Sequence, residues 1–134
     1  MKEINMQGFY THIEEDTLEN NFFRKVLFTG SNSQLVLMAL QPNEDIGSEV
    51  HPDNDQFFRF EAGEGKVAID GQEYLVKDGD SVVIPAGAKH NIINTSATEM
   101  LKMYTIYSPA HHPDGTIHET RAEAMAAEAE EHHH

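Results

Sequence analysis

The stretch GDSVVIPAGAKHNIIN, residues 79–94, decides how this chain folds. It begins with a short run of β-branched residues that ends at Pro85. Gly87 then allows a tight turn that most residues could not adopt. A second short strand follows, and we expect it to carry the side chain of His90 inward. The glycine, proline, histidine and asparagine positions form one spaced frame, which consists of Gly79, Pro85, Gly87, His90 and Asn94.

Short apolar runs, rich in Val, Ile, Phe and Tyr, follow one another through most of the chain. Each has four to eight residues and is bounded by Gly, Asn, Asp or Pro, which is typical of strands. About eight of them indicate a β-sandwich or barrel. Asp70-Gly71 predicts a hairpin turn, and 119–131 favours one short C-terminal helix. The predicted strands are 22–28, 34–40, 56–62, 66–70, 73–77, 81–85, 90–94 and 100–107.

Length and composition exclude several classes of protein. The 134 residues are expected to form one domain, 1–134. Without cysteine there is neither a disulfide framework nor a thiolate metal site. A net charge of -14 argues against nucleic acid and anionic membranes as partners. No long apolar run or signal peptide is evident, so we expect a cytoplasmic protein. The terminal histidines, 132–134, resemble a remnant of an expression tag.

The frame in 79–94 is the second motif of the cupin superfamily, which this sequence resembles closely. The first cupin motif usually reads H-x-H-x4-E-x6-G. Counting back from Gly63, this chain reads E-x-H-x4-Q-x6-G, so the spacing matches while two residue types differ. The resemblance covers about 34–107. It implies an all-β, cupin-type antiparallel β-barrel of the jelly-roll kind, with the short C-terminal helix added to it.

The resemblance implies a metal site inside the barrel. Its four slots fall on Glu49, His51, Gln56 and His90. Two imidazoles, a carboxylate and an amide oxygen suit a divalent ion such as Zn, Fe, Mn, Ni or Co. The alternative is a degenerate cupin, in which Glu49 and Gln56 only satisfy each other by hydrogen bonds. Asp55 is a further possible oxygen ligand.

Other residues are candidates for a substrate pocket or for catalysis. Alternation along the strand places Phe58 and Phe60 on the side of Gln56, either as pocket wall or as plain core. Tyr104 is a third candidate pocket residue, although the sequence does not show which face of its strand is inside. His111, in a loop after the last strand, could act with Glu49 as an acid–base group; the alternative is a surface histidine. The role of His112 is left open.

Three functions from different classes fit these residues. The first is a metal-dependent enzyme acting on a small polar molecule, such as a sugar or sugar-phosphate isomerase. Type I phosphomannose isomerases are cupins whose zinc is held by Gln, His, Glu and His, the same four residue types. The second is an iron-dependent dioxygenase, since two histidines and a carboxylate are its usual ligands. The third is a non-enzymatic cupin that binds or senses a small ligand.

We also expect a homodimer. The apolar segment 21–30 lies outside both motifs, and Phe57 should face outward from the sheet that bears the site. Resembling families cover such a surface with a twofold partner. The alternative is that the phenylalanines of 21–30 close the protein's own sandwich.

Overall fold

The computed structural model describes residues 7–131. The first six residues and the terminal histidines therefore lie outside the described part of the chain. Ten strands and two helices follow in this order: α1 Ile13–Glu19, β1 Arg24–Thr29, β2 Gln34–Leu40, β3 Glu49–Val50, β4 Asp55–Ala62, β5 Glu64–Ile69, β6 Gln72–Lys77, β7 Ser81–Ile84, β8 Lys89–Asn94, β9 Leu101–Ser108, β10 Ile117–His118 and α2 Arg121–Glu131.

The strands form two antiparallel sheets. One sheet has the order β10-β1-β2-β9-β4-β7 and the other has the order β3-β8-β5-β6. Their inner faces carry one continuous hydrophobic core, to which both sheets and Ala124 of α2 contribute. The predicted all-β jelly-roll barrel with a C-terminal helix is confirmed.

Alternation along β4 determines which side chains enter the barrel. Gln56, Phe58 and Phe60 are buried, whereas Phe57 and Arg59 are only half-buried on the outer face. A strand places successive side chains on opposite faces, so this order follows from the sequence once one inward residue is known. The predicted orientation of β4 is confirmed.

The turns form where glycine permits them. Asp70 and Gly71 join β5 to β6 with φ of 46° and 86°, the two positive values that a tight hairpin turn of this kind requires. Gly87 has φ of 90° in the turn between β7 and β8. An alanine at either glycine would be strained because its Cβ disfavours this region.

The structure adds elements that the sequence did not predict. α1 was missed because its seven residues are too few to show a clear helical period. Tertiary packing supports this helix, since Thr17 is fully buried and α1 lies against β2, β4 and β9. β10, which has two residues, was also missed.

The C-terminal helix begins at Arg121, two residues later than predicted. Its start is explained by Thr120, whose hydroxyl accepts a hydrogen bond from the backbone N–H of Glu123. The Glu123 carboxylate in turn accepts from the N–H of Glu119. This reciprocal arrangement resembles a capping box and satisfies donors that the first turn leaves unpaired. Neither helix in 7–131 has the length and apolar character needed to cross a membrane.

Candidate metal centre

Glu49, His51 and His90 come together at one end of the barrel. Glu49 lies directly opposite His90 in the antiparallel pair β3–β8, and His51 follows β3 immediately. One ligand atom from each residue lies within 4.8 Å of the others. His51 and His90 are 6% and 4% exposed, so both imidazoles are withdrawn from water. The predicted carboxylate and histidines therefore form a compact cluster.

Gln56 approaches from the opposite sheet. It is 2% exposed, and its Nε2 donates a 3.0 Å hydrogen bond to the Thr105 hydroxyl. In register it faces Tyr107, whose ring centroid is 5.8 Å from that of His51. Gln56 and His51 therefore both border Tyr107. Asp55, the alternative oxygen ligand, is exposed, and its Oδ1 accepts from the backbone N–H of Ala86.

The donor atoms fit a divalent cation. Among residues 7–131, His51 Nε2 and Gln56 Oε1 are buried and have no hydrogen-bond partner. Buried polar atoms are rarely left unpaired, and a bound ion is one of the recognised explanations. His90 Nδ1 lies 3.1 Å from the carbonyl oxygen of Ala88. A carbonyl only accepts, so Nδ1 carries the proton and Nε2 keeps the electron pair that a metal needs.

Burial changes the pKa values of this cluster in opposite directions. Burial, and next the charge of Glu128, raises the pKa of Glu49 to about 7. Burial, followed by the neighbouring His111 and His90, lowers the pKa of His51 to about 4. The pKa of His90 is also lowered by burial. At neutral pH the two imidazoles are thus neutral, and each can donate a nitrogen lone pair to a metal. Glu49, in contrast, carries a proton for much of the time.

The loop after β9 brings His111 and His112 to the same end of the barrel. The His111 ring centroid is 4.3 Å from that of His51 and 5.2 Å from that of Tyr107. His112 Nε2 lies 3.3 Å from the Tyr107 hydroxyl. Burial, and next Arg24, lowers the pKa of His112 to about 2, so this imidazole is neutral. The structure therefore places His111, which is exposed, beside the candidate metal ligand His51.

Two buried amides hold that loop in place. Gln34 Oε1 accepts hydrogen bonds from the backbone N–H groups of His111 and His112, and its Nε2 donates to the His112 carbonyl. Asn54 Nδ2 donates to the Pro109 carbonyl at 2.6 Å. Gln34 is fully buried, so its amide has little freedom to move. The positions of both histidines depend on these two side chains.

The three predicted pocket residues lie in two different places, two of them in the hydrophobic core and one on the outer face of β9. Phe58 and Phe60 face inward but are fully buried in the hydrophobic core, so contact with a ligand stays a prediction. Tyr104 lies on the outer face of β9, where its ring is 6.1 Å from that of Phe57. Its assignment to the pocket is therefore corrected. Met103, Thr105 and Tyr107 occupy the inner face, and only the pairing of β9 with β2 and β4 decides this.

Three neighbours of the site were missed from the sequence. Tyr107 could have been found by alternation once Thr105 was known to face inward. Arg24 is one of two adjacent cations, with Lys25, in an otherwise apolar run, which is a weak signal for a buried charge. Glu128, on α2, gives no signal because the path of the helix across the barrel is not local information.

Comparisons with known proteins agree with this architecture. A family described as Cupin domain matches residues 36–107. The Bacillus subtilis (strain 168) protein YrkC is 46% identical over 134 residues, covering 96% of this chain and 72% of that protein. Protein L612 of Acanthamoeba polyphaga mimivirus is 48% identical over 115 residues, covering 83% of this chain and 71% of that protein.

A solved structure extends the match to three dimensions. The crystal structure of BH2720 from Bacillus halodurans has a TM-score of 0.88 and 44% sequence identity. The match covers 90% of this chain and 96% of that chain. The family match spans both the strand that carries Gln56 and the strand that carries His90. This chain belongs to the cupin family.

Proposed function

We propose that this chain binds a divalent metal through Glu49, His51, Gln56 and His90 and acts as an enzyme on a small polar molecule. The observation that carries the proposal concerns two buried atoms, His51 Nε2 in the ligand cluster and Gln56 Oε1 across Tyr107 from it. Neither has a hydrogen-bond partner within residues 7–131, and Glu49 Oε1 lies 3.8 Å from His51 Nε2. Leaving a buried polar atom unpaired costs about 1–3 kcal/mol. A cation held by both atoms would remove that cost.

The reaction class that these residues support best is proton transfer on a hydroxy-carbonyl compound, as in a sugar isomerase. A bound divalent ion would supply Lewis-acid polarisation of the substrate oxygens. His111 is the candidate base, because it is exposed to solvent and lies against His51. It would take a proton from the carbon bearing the hydroxyl group and return it to the neighbouring carbonyl carbon, while the hydroxyl proton passes to the former carbonyl oxygen. Glu49 serves better as a ligand, since a carboxylate bound to a cation is a poor base.

Tyr107 would assist by donating a hydrogen bond to an oxygen of the substrate. Burial raises the pKa of its phenol well above the usual range, so the hydroxyl keeps its proton. A phosphate group on the substrate is less well supported, because Arg59, Lys66 and Lys102 already have partners within the protein. Arg59 pairs with Glu61, Lys66 pairs with Glu73, and Lys102 donates to Leu18 and Asn21.

An iron-dependent dioxygenase is the second candidate. Two histidines and one glutamate within 4.8 Å of one another are the ligand types of a non-haem iron centre. Metal identity separates the two proposals: zinc favours isomerase chemistry, and iron favours oxygen chemistry. If the purified chain holds no metal but still binds a small molecule, the third function, a non-enzymatic binding protein, is favoured.

The experiment is metal analysis of protein purified without residues 132–134. We expect close to one equivalent of a transition metal per chain, and much less in the double variant His51→Ala/His90→Ala. His12→Ala is the matched control, because His12 lies against the Tyr10 hydroxyl and outside the ligand cluster. Full metal occupancy in the double variant would contradict the site.

We also propose a homodimer, although the surface differs from the one expected. Phe23 and Val26 belong to the protein's own core, and Phe28 stacks on Phe9. Large exposed apolar residues instead lie on the edge strands β6 and β7, where Leu75 is 83% and Val83 is 64% exposed. Sedimentation equilibrium at micromolar concentration should give twice the chain mass of 15.1 kDa. A mass near that of one chain would refute the dimer.

A further inference from the structure

The outer face of the six-stranded sheet carries one continuous row of apolar side chains. The strand register sets Val83 opposite Phe57, and Phe57 opposite Ile106. Beyond β9, Ile106 lies opposite Leu35, and Leu35 lies opposite Phe28. Residues directly opposite each other in antiparallel strands share a face, and Phe57 is on the outer one. These five residues, the apolar row, cross β7, β4, β9, β2 and β1, a span of about 19 Å at the usual strand spacing.

The side chains of the apolar row remain in contact with solvent. Val83 is 64% exposed, and the other four are half-buried. Phe9, which is 45% exposed, extends the row by stacking on Phe28, with ring centroids 5.3 Å apart. A contiguous apolar surface on a protein of this size commonly marks an interaction site. A partner should therefore cover the row.

α1 covers the neighbouring part of the same face and stops short of the row. On the outer side of β2, Leu37 is 2% exposed, whereas Leu35 is half-buried. The helix packs against β2, β4 and β9. Lys102 of β9, which lies opposite Ala62 of β4, donates to the Leu18 carbonyl near the end of the helix. The protein's own packing thus covers one end of the sheet face, and α1 forms a raised border beside the uncovered end.

Opposite charges flank the row along β4. Arg59 lies two residues from Phe57 on the side of α1, and Asp55 lies two residues away on the other side. Alternation along the strand places all three on the outer face. The Arg59 side chain is 40% exposed, although its Nε lies 3.3 Å from Glu61 Oε1, and Asp55 is exposed. The row therefore has a cation on one border and an anion on the other.

We propose that the apolar row is the interface between two copies of this chain, related by a twofold axis that runs parallel to the row. This inference rests on the homodimer proposed above and specifies its surface. A patch that packs on its own copy closes the assembly at two chains. Rotation about this axis lays row on row and reverses the strand direction, so Asp55 of each copy lies over the partner's Arg59.

Shape and charge both select this axis. With the axis parallel to the strands instead, the two α1 helices would meet at the same end of the interface, and the two cationic borders would also lie together. An axis parallel to the row sends the helices to opposite ends and pairs unlike charges. Complementary charges across an interface fix its register and disfavour other arrangements.

The test of the surface is the dimer dissociation constant, measured by sedimentation equilibrium on the full chain. Val83→Glu should weaken the dimer about tenfold or more, because it places a charge inside the apolar contact. Leu75→Glu is the matched control. Leu75 is also a large exposed residue of an edge strand, but it lies opposite Lys66 on the other sheet. The control should keep the wild-type constant.

A double-mutant cycle tests the axis. Asp55→Arg should weaken the dimer about tenfold by facing the partner's Arg59, and should have little effect when Arg59 is already replaced by Met. Within one chain the two residues lie about 13 Å apart along β4, too far to couple directly. A non-additive effect on the dissociation constant therefore reports contact across the dimer.

If Arg59→Met does not fold, Val83→Cys decides the axis, because the chain has no cysteine of its own. Packed sheets lie about 10 Å apart, so a thiol cross-linker of that reach should join Val83→Cys to the same position of the partner. An axis parallel to the strands would place the two thiols at opposite ends of the row, beyond that reach.

The outcomes separate this surface from the other proposals. A monomeric wild type refutes both the homodimer and its surface and leaves the metal proposal unaffected. A dimer that Val83→Glu does not weaken, or that Leu75→Glu weakens equally, overturns the apolar row as the interface while the homodimer stands. Additive effects of Asp55→Arg and Arg59→Met, or no cross-linking of Val83→Cys, rule out the axis.

Discussion

Glu49 and His90 face each other across the antiparallel pair β3–β8, so a carboxylate and an imidazole from different motifs meet at one rung of the sheet. Residues directly opposite in such a pair have Cβ atoms about 4.5–5.5 Å apart, close enough for both to bind one ion. The carboxylate thus stands where the resembling motif usually has its first histidine. The departure changes the charge of the site.

Removing either histidine should remove most of the metal. We expect His51→Ala and His90→Ala each to lower metal affinity by about 10²-fold or more, because an imidazole nitrogen is a strong ligand for borderline ions. His112→Ala should retain the metal, since His112 contacts the Tyr107 hydroxyl and lies outside the ligand cluster. Competition with a chelator measures all three affinities. Loss of metal in His112→Ala equal to that in His51→Ala would place the site elsewhere.

Gln56→Glu should tighten metal binding and weaken the metal-free fold. A carboxylate adds a full negative charge beside a dication, and Thr105 can still donate to its oxygen. Without metal, the new carboxylate would be buried, with the partly buried Glu49 as a second acid of the site, so the melting temperature should fall. Gln72→Glu, at an exposed position, is the control. Unchanged or weaker metal affinity would show that Gln56 does not point at the metal.

Metal binding near pH 6 should release about one proton, and that proton should come from Glu49. The pKa of Glu49 is raised to about 7, so at pH 6 the carboxyl is mostly protonated and must lose its proton to bind. The pKa of His51 is lowered to about 4, so this imidazole is already neutral. The apparent metal affinity should therefore begin to fall as the pH drops below about 7, where Glu49 of the metal-free protein takes up a proton, and not only below the usual histidine pKa of about 6.5.

Calorimetry in buffers of different ionisation enthalpy measures that proton. Release should fall toward zero at pH 8, where Glu49 is already ionised, and should disappear at pH 6 in Glu49→Gln. An undiminished release in Glu49→Gln would assign the proton to a histidine.

Gln34→Met should loosen the loop that carries His111 and His112 without emptying the metal site. The substitution keeps the volume but leaves two backbone N–H groups without their acceptor. We expect a loss of about 1–3 kcal/mol in the free energy of unfolding. Amide hydrogen exchange at both histidines should become faster, while chelator competition gives the wild-type metal affinity. Unchanged exchange would mean that Gln34 does not position the loop.

Much of the fold could be predicted from the sequence because its signals are local. Period-two alternation identifies β4 and its inward residues, and Asp70-Gly71 identifies a turn that needs two positive φ values. The spacing of the two motifs likewise indicated which histidines and which acid would meet. α1 was not predicted because its seven residues show no clear helical period. Packing on β2, β4 and β9 supports this helix, and that packing is not visible in the local sequence.

Only the tertiary structure decided which residues that are distant along the chain become neighbours. The inner face of β9 depends on its register with β2 and β4, which is why Tyr107 and not Tyr104 borders the site. The pairing of Arg24 with Glu128 joins residues from the first strand and the last helix. The pKa of Glu49 depends first on burial, a property of the assembled barrel. Local patterns determine strands and turns, whereas burial and the electric field at a site arise only when non-local segments pack together.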